Sequence, residues 1–286
     1  MKFSVDGQPV TGQFAVYAAK ALAGKDYYQD YMARKISNGQ FEQAMAADAA
    51  LGFNEYNVRH VSLTPQDERM PAEHIFGELE AAGLIPGGGG MYDGFGEFRQ
   101  YVLENYNHGE FVTFVYPEDE LLLYAAAKLV RPARMFMAGS YYGYLAVWAM
   151  QAVRDMQGCA VLCDVDGEVC ELARENFNRL GFGDCAQILC EDAGAVLARR
   201  TEPIDLLVLD ATGRHDDERP DFRGKRIYGA LLNAAKHLLH KGSVIYIHNM
   251  EPDSADMRGL VDGLREINAR GASYDTYNGL GVYIVS

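Results

Sequence analysis

The chain has 286 residues, of which 49% are apolar and 23% charged, as expected for one large globular domain or a domain with an appendage. Its 40 acidic and 26 basic residues give a formal net charge of −14. This balance argues against a nucleic-acid partner, because phosphate contacts need clustered lysine and arginine. The first residues, MKFSVDGQPV, lack the apolar segment of a signal peptide, and no apolar run approaches the ~18 residues of a membrane span. We therefore expect a cytoplasmic protein without a membrane partner.

Helical patterns dominate the first part of the chain. Apolar residues recur three and four positions apart over residues 14–51, after Pro71, and again in the aromatic-rich stretch 91–107. No convincing strand pattern occurs before a further helical segment that follows Pro117. The sequence predicts a helical cap over residues 1–115, which we expect to contribute to substrate binding.

Short apolar runs alternate with helical stretches from Arg134 onward. The runs RMFMA, AVLCD, AQILC, IDLLVLD and SVIYIH each precede or follow a helical segment. This alternation is typical of a parallel sheet with helices on both faces. The final segments, SYDTYNG and GVYIVS, leave no room for a crossover helix, so the last strand should be antiparallel. Residues 116–286 are therefore predicted to form a doubly wound, Rossmann-like α/β domain with a seven-stranded sheet.

A turn with glycines follows the first of these strands, with the sequence Gly139-Ser140-Tyr141-Tyr142-Gly143. Glycine in a strand-to-helix turn lets the backbone approach a ligand closely at the carboxyl end of a sheet. The turn lacks the G-x-G-x-x-G fingerprint, and bulky Tyr141 and Tyr142 fill the space that the phosphates of a dinucleotide need. The pattern favours a nucleoside without phosphates and makes a nicotinamide-dependent oxidoreductase the least favoured class.

Acidic residues follow the second and third predicted strands. Asp164 ends the second strand, where a carboxylate is able to accept hydrogen bonds from both ribose hydroxyls of an adenosine. Asp166 fits a helix N-cap better. Asp192-Ala193 follows the third strand, where a side chain and a backbone N–H would read the adenine edge, with a plain turn as the alternative.

The fourth strand ends at Asp210 and the fifth at His248-Asn249. In an open α/β sheet these positions point into the ligand crevice. After the fourth strand, the insertion GRHDDERPDFRGKR adds charged residues near the site, for which a solvated loop is an equally good interpretation. Those charged residues are His215, Asp216, Asp217 and Glu218.

Six segments, taken in chain order, carry a resemblance to a known family. They are MAGSYYGYLAVWA, CDVDGEVCELARENFNRLG, CEDA, IDLLVLDAT, HLLHKGSVIYIHN and GLGVYIVS. They resemble successive motifs of small-molecule O-methyltransferases of the class I S-adenosylmethionine-dependent superfamily, over residues 116–286. The resemblance implies S-adenosylmethionine as the cofactor and a small molecule as the methyl acceptor, which we place in specialised metabolism. The cofactor-binding residues it implies are Gly139, Ser140, Tyr142 and Gly143 around the methionine moiety, Asp164 at the ribose and Asp192-Ala193 at the adenine, with Tyr141, Val165 and Asp210 beside them.

The chain departs from the metal-dependent members of that family. Those members hold a divalent cation with an Asp after the fourth strand and an Asp-Asn pair after the fifth, whereas here the pair is His248-Asn249. Asp210 with a histidine and an amide is a poor site for Mg²⁺, so no catalytic metal is expected. His248 or His215 is then the predicted general base, because imidazole titrates near neutral pH. Asn249 and Tyr142 complete the catalytic candidates, and a structural role is the alternative for each.

A second departure motivates another chemistry. Met137 stands two places before the first glycine, where the family usually has a carboxylate, so the amino group of the cofactor needs another partner. A freed amine suits attack on the aminobutyrate carbon, either by 3-amino-3-carboxypropyl transfer or by closure to azetidine-2-carboxylate, with release of methylthioadenosine. A further alternative is a non-catalytic, methyltransferase-like partner subunit. The aromatic helices also leave a homodimer as an expectation.

Overall fold

The computed structural model describes residues 3–5, 8–52, 68–87, 89–276 and 278–286. The chain divides into two compact units, one of residues 1–68 with 107–118 and one of residues 69–106 with 119–286. Residues 69–106, which the sequence analysis placed with the helical cap, therefore group with the unit that contains the large sheet. A role of residues 1–115 in substrate binding stays a prediction.

The described residues of the first unit form three α-helices and four very short strands. The helices are α1 (Phe14–Leu22), α2 (Asp26–Met32) and α3 (Asn38–Ala47), and the strands are β1 (Phe3–Val5), β2 (Gln8–Val10), β3 (Gly12–Gln13) and β4 (Val112–Thr113). β1 pairs antiparallel with β2, and β3 pairs parallel with β4. The expectation of no strands in this region is wrong for these four. Strands of two or three residues are too short for apolar and polar positions to alternate visibly in sequence.

The helices predicted in this unit are present, and the local sequence explains where α3 begins. Ser37 and Gln40 form a reciprocal capping box at the start of α3, in which each side chain bonds the backbone N–H of the other residue. Phe41 of α3 is fully buried and stacks on Tyr31 of α2 with ring centroids 4.0 Å apart. The aromatic residues here form a local hydrophobic core.

The sheet of the second unit has seven strands. In chain order they are β5 (Arg134–Ala138), β6 (Cys159–Asp164), β7 (Ala186–Cys190), β8 (Ile204–Leu209), β9 (Leu239–His248), β10 (Ala269–Tyr274) and β11 (Leu280–Val285). Their order across the sheet is β10-β11-β9-β8-β5-β6-β7. Strands β5 to β9 pair in parallel, and β11 lies antiparallel between β9 and β10. The predicted seven-stranded sheet with an antiparallel last strand is confirmed.

Helices cover both faces of this sheet. Those from residue 70 onward are α4 (Met70–Ala81), α5 (Phe95–Asn105), α6 (Pro117–Val130), α7 (Met150–Asp155), α8 (Gly167–Arg179), α9 (Ala193–Arg199), α10 (Ile227–Ala235) and α11 (Arg258–Glu266). Phe136 and Leu207 belong to a core shared with α9, α10 and α11. Met137 and Val208, whose side chains alternate to the opposite face, are also fully buried. Burial on both faces is what a doubly wound parallel sheet requires.

Within the described ranges, no helix has the length and apolarity needed to cross a membrane.

Candidate functional site

A cavity of about 200 Å³ opens at the carboxyl edge of the sheet of the second unit. The strand order reverses between β5 and β8, and ligands of doubly wound sheets bind in the crevice at such a point. Residues that end or follow four neighbouring strands, β5 to β8, border the cavity. They are Gly139, Cys163, Asp164, Val165, Glu191, Asp192, Ala193, Ala211 and Thr212.

Gly139 stands where two backbone segments meet. Its φ is +78°, a conformation that side chains disfavour, and a Cβ added to it would lie 2.4 Å from Cα of Ala211. The N–H groups of Gly139 and Ser140 both donate to the carbonyl of Cys163, each at 3.0 Å. Glycine is therefore required here because the segments that follow β5 and β8 approach too closely for any side chain.

Buried side chains hold the rest of the turn. The hydroxyl of Tyr106 donates to the carbonyl of Tyr142, and the hydroxyl of Tyr144 donates to Oε1 of Glu120 at 2.7 Å. The side chains of Ser140 and Tyr142 are buried, with 1% and 0% of their surface exposed, and they are not among the residues that border the cavity. A cofactor contact by either residue would therefore run through the backbone, and the phenol of Tyr142 is not placed to act on a substrate in the cavity.

Asp164 is held at the cavity edge by two backbone N–H groups. Tyr141 N donates to its Oδ2 at 2.8 Å and Asp166 N to its Oδ1 at 3.2 Å. Burial raises the pKa of Asp164, against the lowering effect of backbone hydrogen bonds from Asp166 and Val165. Each carboxylate oxygen keeps a further lone pair, which suits the acceptance of two hydroxyl groups. Asp166 caps helix α8 by accepting from Glu168 N at 2.9 Å, so its predicted N-cap role is confirmed.

Asp192 serves as a helix cap and also borders the cavity. Its Oδ1 accepts a hydrogen bond from Ala195 N at 2.8 Å, at the start of α9. Asp192 and Ala193 both line the cavity. The helix-cap role and the predicted adenine contact are therefore compatible, because the cap occupies only one of the two carboxylate oxygens. Val165, 73% exposed, lies on the rim.

A buried polar cluster occupies the ends of β8 and β9. His248, only 5% exposed, lies between two carboxylates, with Nδ1 2.9 Å from Oδ1 of Asp210 and Nε2 3.2 Å from Oδ2 of Asp119. Asn278 Nδ2 donates to the same oxygen of Asp119 at 2.8 Å. The Nζ of Lys225 lies 3.6 Å from Oδ1 of Asp210. The cluster thus joins two acidic and two basic side chains inside one unit.

Neighbouring charges set the protonation states of His248 and Asp210. Burial by itself would lower the pKa of His248, but the carboxylates of Asp210 and Asp119 together raise it to about 10. Burial raises the pKa of Asp210, and the neighbouring His248 and Lys225 outweigh this effect and lower it overall. At neutral pH the pair is therefore imidazolium and carboxylate. Both ring nitrogens of His248 then donate, so the ring has no lone pair with which to accept a proton, and this geometry does not favour its predicted role as general base.

The remaining catalytic candidates lie outside the cavity. Asn249 is partly exposed with φ at +59°, a left-handed conformation that Asn tolerates. His215 is exposed on the loop after β8. Of the four charged residues predicted in that insertion, Asp217 borders the cavity and the other three do not. The structure brings together Gly139, Asp164, Asp192 and Asp217, while Asp210 and His248 belong to the adjoining cluster.

Sequence reasoning missed several residues at this edge. Asp119 lies 129 residues before its partner His248 in the sequence. Asn278 lies 159 residues after its partner Asp119. No local sequence pattern reveals contacts over such separations. Arg219, Phe222 and Lys225 lie in the charged insertion, whose composition was the only available signal. Local motifs identified the glycine turn and the strand-end carboxylates, but not the partners that surround them.

Stability should depend on pH through His248. Its pKa of about 10 in the folded state lies above its ordinary value of 6.5. The protonated ring therefore makes its full contribution to the free energy of unfolding below pH 6.5, and this contribution is lost as the pH rises through 10. We expect the urea unfolding free energy of the wild type to fall over this interval more steeply than that of His248→Gln. Equal slopes for the two proteins would show that the ring is not protonated in the folded state.

Part of the second unit is similar in sequence to a known family of domains. Residues 136–250 match the sequence model of a family described as a methyltransferase domain. No curated protein matches the chain. The matched residues include the glycine turn, Asp164 and Asp192, so this part of the chain is similar to a methyltransferase domain.

Solved structures share this architecture at low identity. An O-methyltransferase from Bacillus cereus in complex with S-adenosylhomocysteine is 16% identical, covers 74% of this chain and 98% of its own, and gives a TM-score of 0.49. TomG from Streptomyces achromogenes is an O-methyltransferase involved in tomaymycin synthesis, solved in complex with S-adenosylmethionine. It is 17% identical, covers 77% of this chain and 99% of its own, and gives a TM-score of 0.47. The methyltransferase PaMTH1 from Podospora anserina is 15% identical, covers 74% of this chain and 95% of its own, and gives a TM-score of 0.49. These likenesses concern the fold and say nothing about the substrate of this chain.

Proposed function

We propose that this protein transfers a methyl group from S-adenosylmethionine to a small molecule, without a catalytic metal, in the specialised metabolism of the cytoplasm. One observation carries the proposal: Gly139, Asp164 and Asp192 border a single cavity at the carboxyl edge of a methyltransferase domain. The acidic net charge of −14 supports a small-molecule acceptor rather than a nucleic acid. A membrane partner is not part of the proposal, and a homodimer stays an expectation.

The residues present fit an adenosine cofactor. Gly139 leaves the space between the segments after β5 and β8 free of side chains, which allows a ligand to approach the backbone. Asp164 presents a carboxylate that suits ribose hydroxyls. Two further acidic residues, Glu191 and Asp217, border the same cavity. Two arginines also border the cavity, but its four carboxylates outnumber them, and this net negative charge favours a positively charged sulfonium ligand over a nucleotide.

In the proposed reaction the chain contributes alignment of the reactants rather than general acid–base catalysis by His248. When bound, S-adenosylmethionine supplies an electrophilic methyl carbon on a sulfonium. Displacement at such a carbon needs an in-line nucleophile, and an enzyme accelerates it mainly by holding the two reactants in that geometry. Asp164 and the backbone of the glycine turn would hold the nucleoside end. His248, with its proton retained between Asp210 and Asp119, fixes the ends of β8 and β9 around it.

The polar cluster supports the metal-independent form of the proposal. The carboxylate of Asp210 already has two basic partners, His248 Nδ1 at 2.9 Å and Lys225 Nζ at 3.6 Å. A divalent cation at Oδ1 of Asp210, the oxygen that both partners contact, would have to displace them. Mg²⁺ also prefers oxygen ligands, and the neighbouring His248 offers nitrogen that is protonated.

S-adenosylhomocysteine should raise the melting temperature of the purified protein. A ligand at 100 times its dissociation constant adds about 2.7 kcal/mol of stability, which corresponds to roughly 2–4 °C for a chain of this size. NAD should give no shift, and EDTA should leave the shift unchanged if no metal takes part. Product analysis then separates S-adenosylhomocysteine, expected from methylation, from methylthioadenosine, expected from aminocarboxypropyl chemistry. A protein that binds but forms neither product would be a non-catalytic subunit.

A further inference from the structure

The loop between β8 and α10 closes on itself at its base. Gly213 and Gly224 exchange two backbone hydrogen bonds, N to O, of 3.0 and 3.1 Å. A Cβ added to Gly213 would lie 1.7 Å from the carbonyl oxygen of Phe222. Glycine at position 213 therefore allows the returning segment of the loop to pack directly against the outgoing one. This close contact fixes where Phe222 lies.

Within the loop, a cation covers an aromatic ring. The guanidinium of Arg219 lies 3.7 Å from the centroid of Phe222. Nε and Nη2 of Arg219 donate to the two carboxylate oxygens of Asp217, each at 3.1 Å. Arg223 Nε also donates to the carbonyl of Asp217 at 2.7 Å. Asp217 thus orients Arg219, and Arg219 in turn holds the plane of the Phe222 ring.

This stacked pair faces the same cavity as the predicted cofactor residues. Asp217, Arg219 and Phe222 all border it, and so do the apolar side chains of Ile227 and Leu231 from α10. The cavity thus has carboxylates from the strand ends and an aromatic and aliphatic surface from the loop and α10. At about 200 Å³ it lies below the roughly 300–1,000 Å³ of typical ligand clefts, so a flat base inside it has to contact this surface.

We infer that the Arg219–Phe222 stack is the surface against which the adenine base of the cofactor lies. The inference rests on the proposed function. An aromatic side chain stacks well on a purine, and the aliphatic residues of α10 complete an apolar environment for it. The ribose carboxylate Asp164 borders the same cavity, so base and sugar are recognised by different segments of the chain.

Calorimetric titration with two probes tests this assignment. S-adenosylhomocysteine reports binding of the whole ligand, and adenosine reports binding of the nucleoside alone. Phe222→Ala should weaken the binding of both probes by about the same factor, tenfold or more, because the loss of a base-stacking ring lowers affinity by about that factor. Arg219→Ala should weaken both by a smaller shared factor, since it loosens the ring without removing it. Asp221→Ala is the matched control, because Asp221 belongs to the same loop but does not border this cavity.

The outcomes separate the inference from the proposed function. If the wild type binds S-adenosylhomocysteine and Phe222→Ala binds it equally well, the stack is not the base-binding surface while the cofactor assignment stands. An equal loss in Asp221→Ala would also overturn the inference, since it would trace the effect to general disturbance of the loop. If the wild type binds neither probe, the proposed function fails, and the inference fails with it. Phe222 is only partly buried, so Phe222→Ala should fold, and its melting temperature without ligand checks this.

Discussion

Replacing His248 with leucine will lower the free energy of unfolding by about 3–5 kcal/mol, the usual cost of removing one partner from a buried ion pair. The imidazolium is 5% exposed and is the shared cation of Asp210 and Asp119, at 2.9 and 3.2 Å. Leucine leaves both carboxylates facing an apolar side chain. Lys225 remains near Asp210, and Asn278 remains as a neutral donor to Asp119.

Urea unfolding at pH 7 measures this loss, and the chain offers a matched control. His240 also faces a carboxylate, with Nε2 3.1 Å from Oδ1 of Asp205, but 44% of its side chain is exposed. Exposed pairs contribute about 0–1 kcal/mol, so His240→Leu should change the unfolding free energy by no more than that. If both substitutions cost the same small amount, the cluster around His248 is not a buried ion-pair network and the assigned charge state is wrong.

The architecture of the second unit is predictable from sequence because its central strands β5, β6, β8 and β9 are largely buried on both faces. Runs such as LLVL at residues 206–209 are then continuously apolar, and Asp210 marks where this run ends. The antiparallel direction of the last strand follows from the lack of room for a crossover helix between the last two strands. The four strands of the first unit escape this reasoning, because two or three residues carry no period.

In the candidate site, too, features set by local sequence were predictable, and features set by residues distant in sequence were not. Gly139 and Asp164 were predicted because each ends a strand, and the topology of the sheet brings strand ends together. The protonation of His248 was not predictable, because it depends on Asp119, 129 residues away in sequence, as much as on Asp210. A histidine after a strand suggests a base when its neighbours are unknown. Two flanking carboxylates turn the same side chain into a fixed cation.

Gly139→Ala will impair both stability and cofactor binding. The added Cβ would lie 2.4 Å from Cα and 2.5 Å from N of Ala211, which are backbone atoms that no rotamer change will move. A left-handed alanine costs about 1–2 kcal/mol and overpacking a further 1–3 kcal/mol, so the unfolding free energy should fall by about 2–5 kcal/mol. Relief of the clash has to separate the segments after β5 and β8. Because Ala211 also borders the cavity, we expect about tenfold weaker binding of S-adenosylhomocysteine or worse, a loss of at least 1.4 kcal/mol.

Gly181→Ala isolates the conformational part of this effect. Gly181 has φ at +76°, close to the +78° of Gly139, but a Cβ there would have no atom within 4 Å. It should therefore lose only the ~1–2 kcal/mol of a left-handed alanine and bind S-adenosylhomocysteine as the wild type does. The difference between the two variants measures the cost of separating the two backbone segments. If Gly139→Ala loses no more stability than Gly181→Ala and binds the ligand normally, the close approach of Gly139 to Ala211 does not shape the cofactor cavity, and Asp164 would have to account for binding without it.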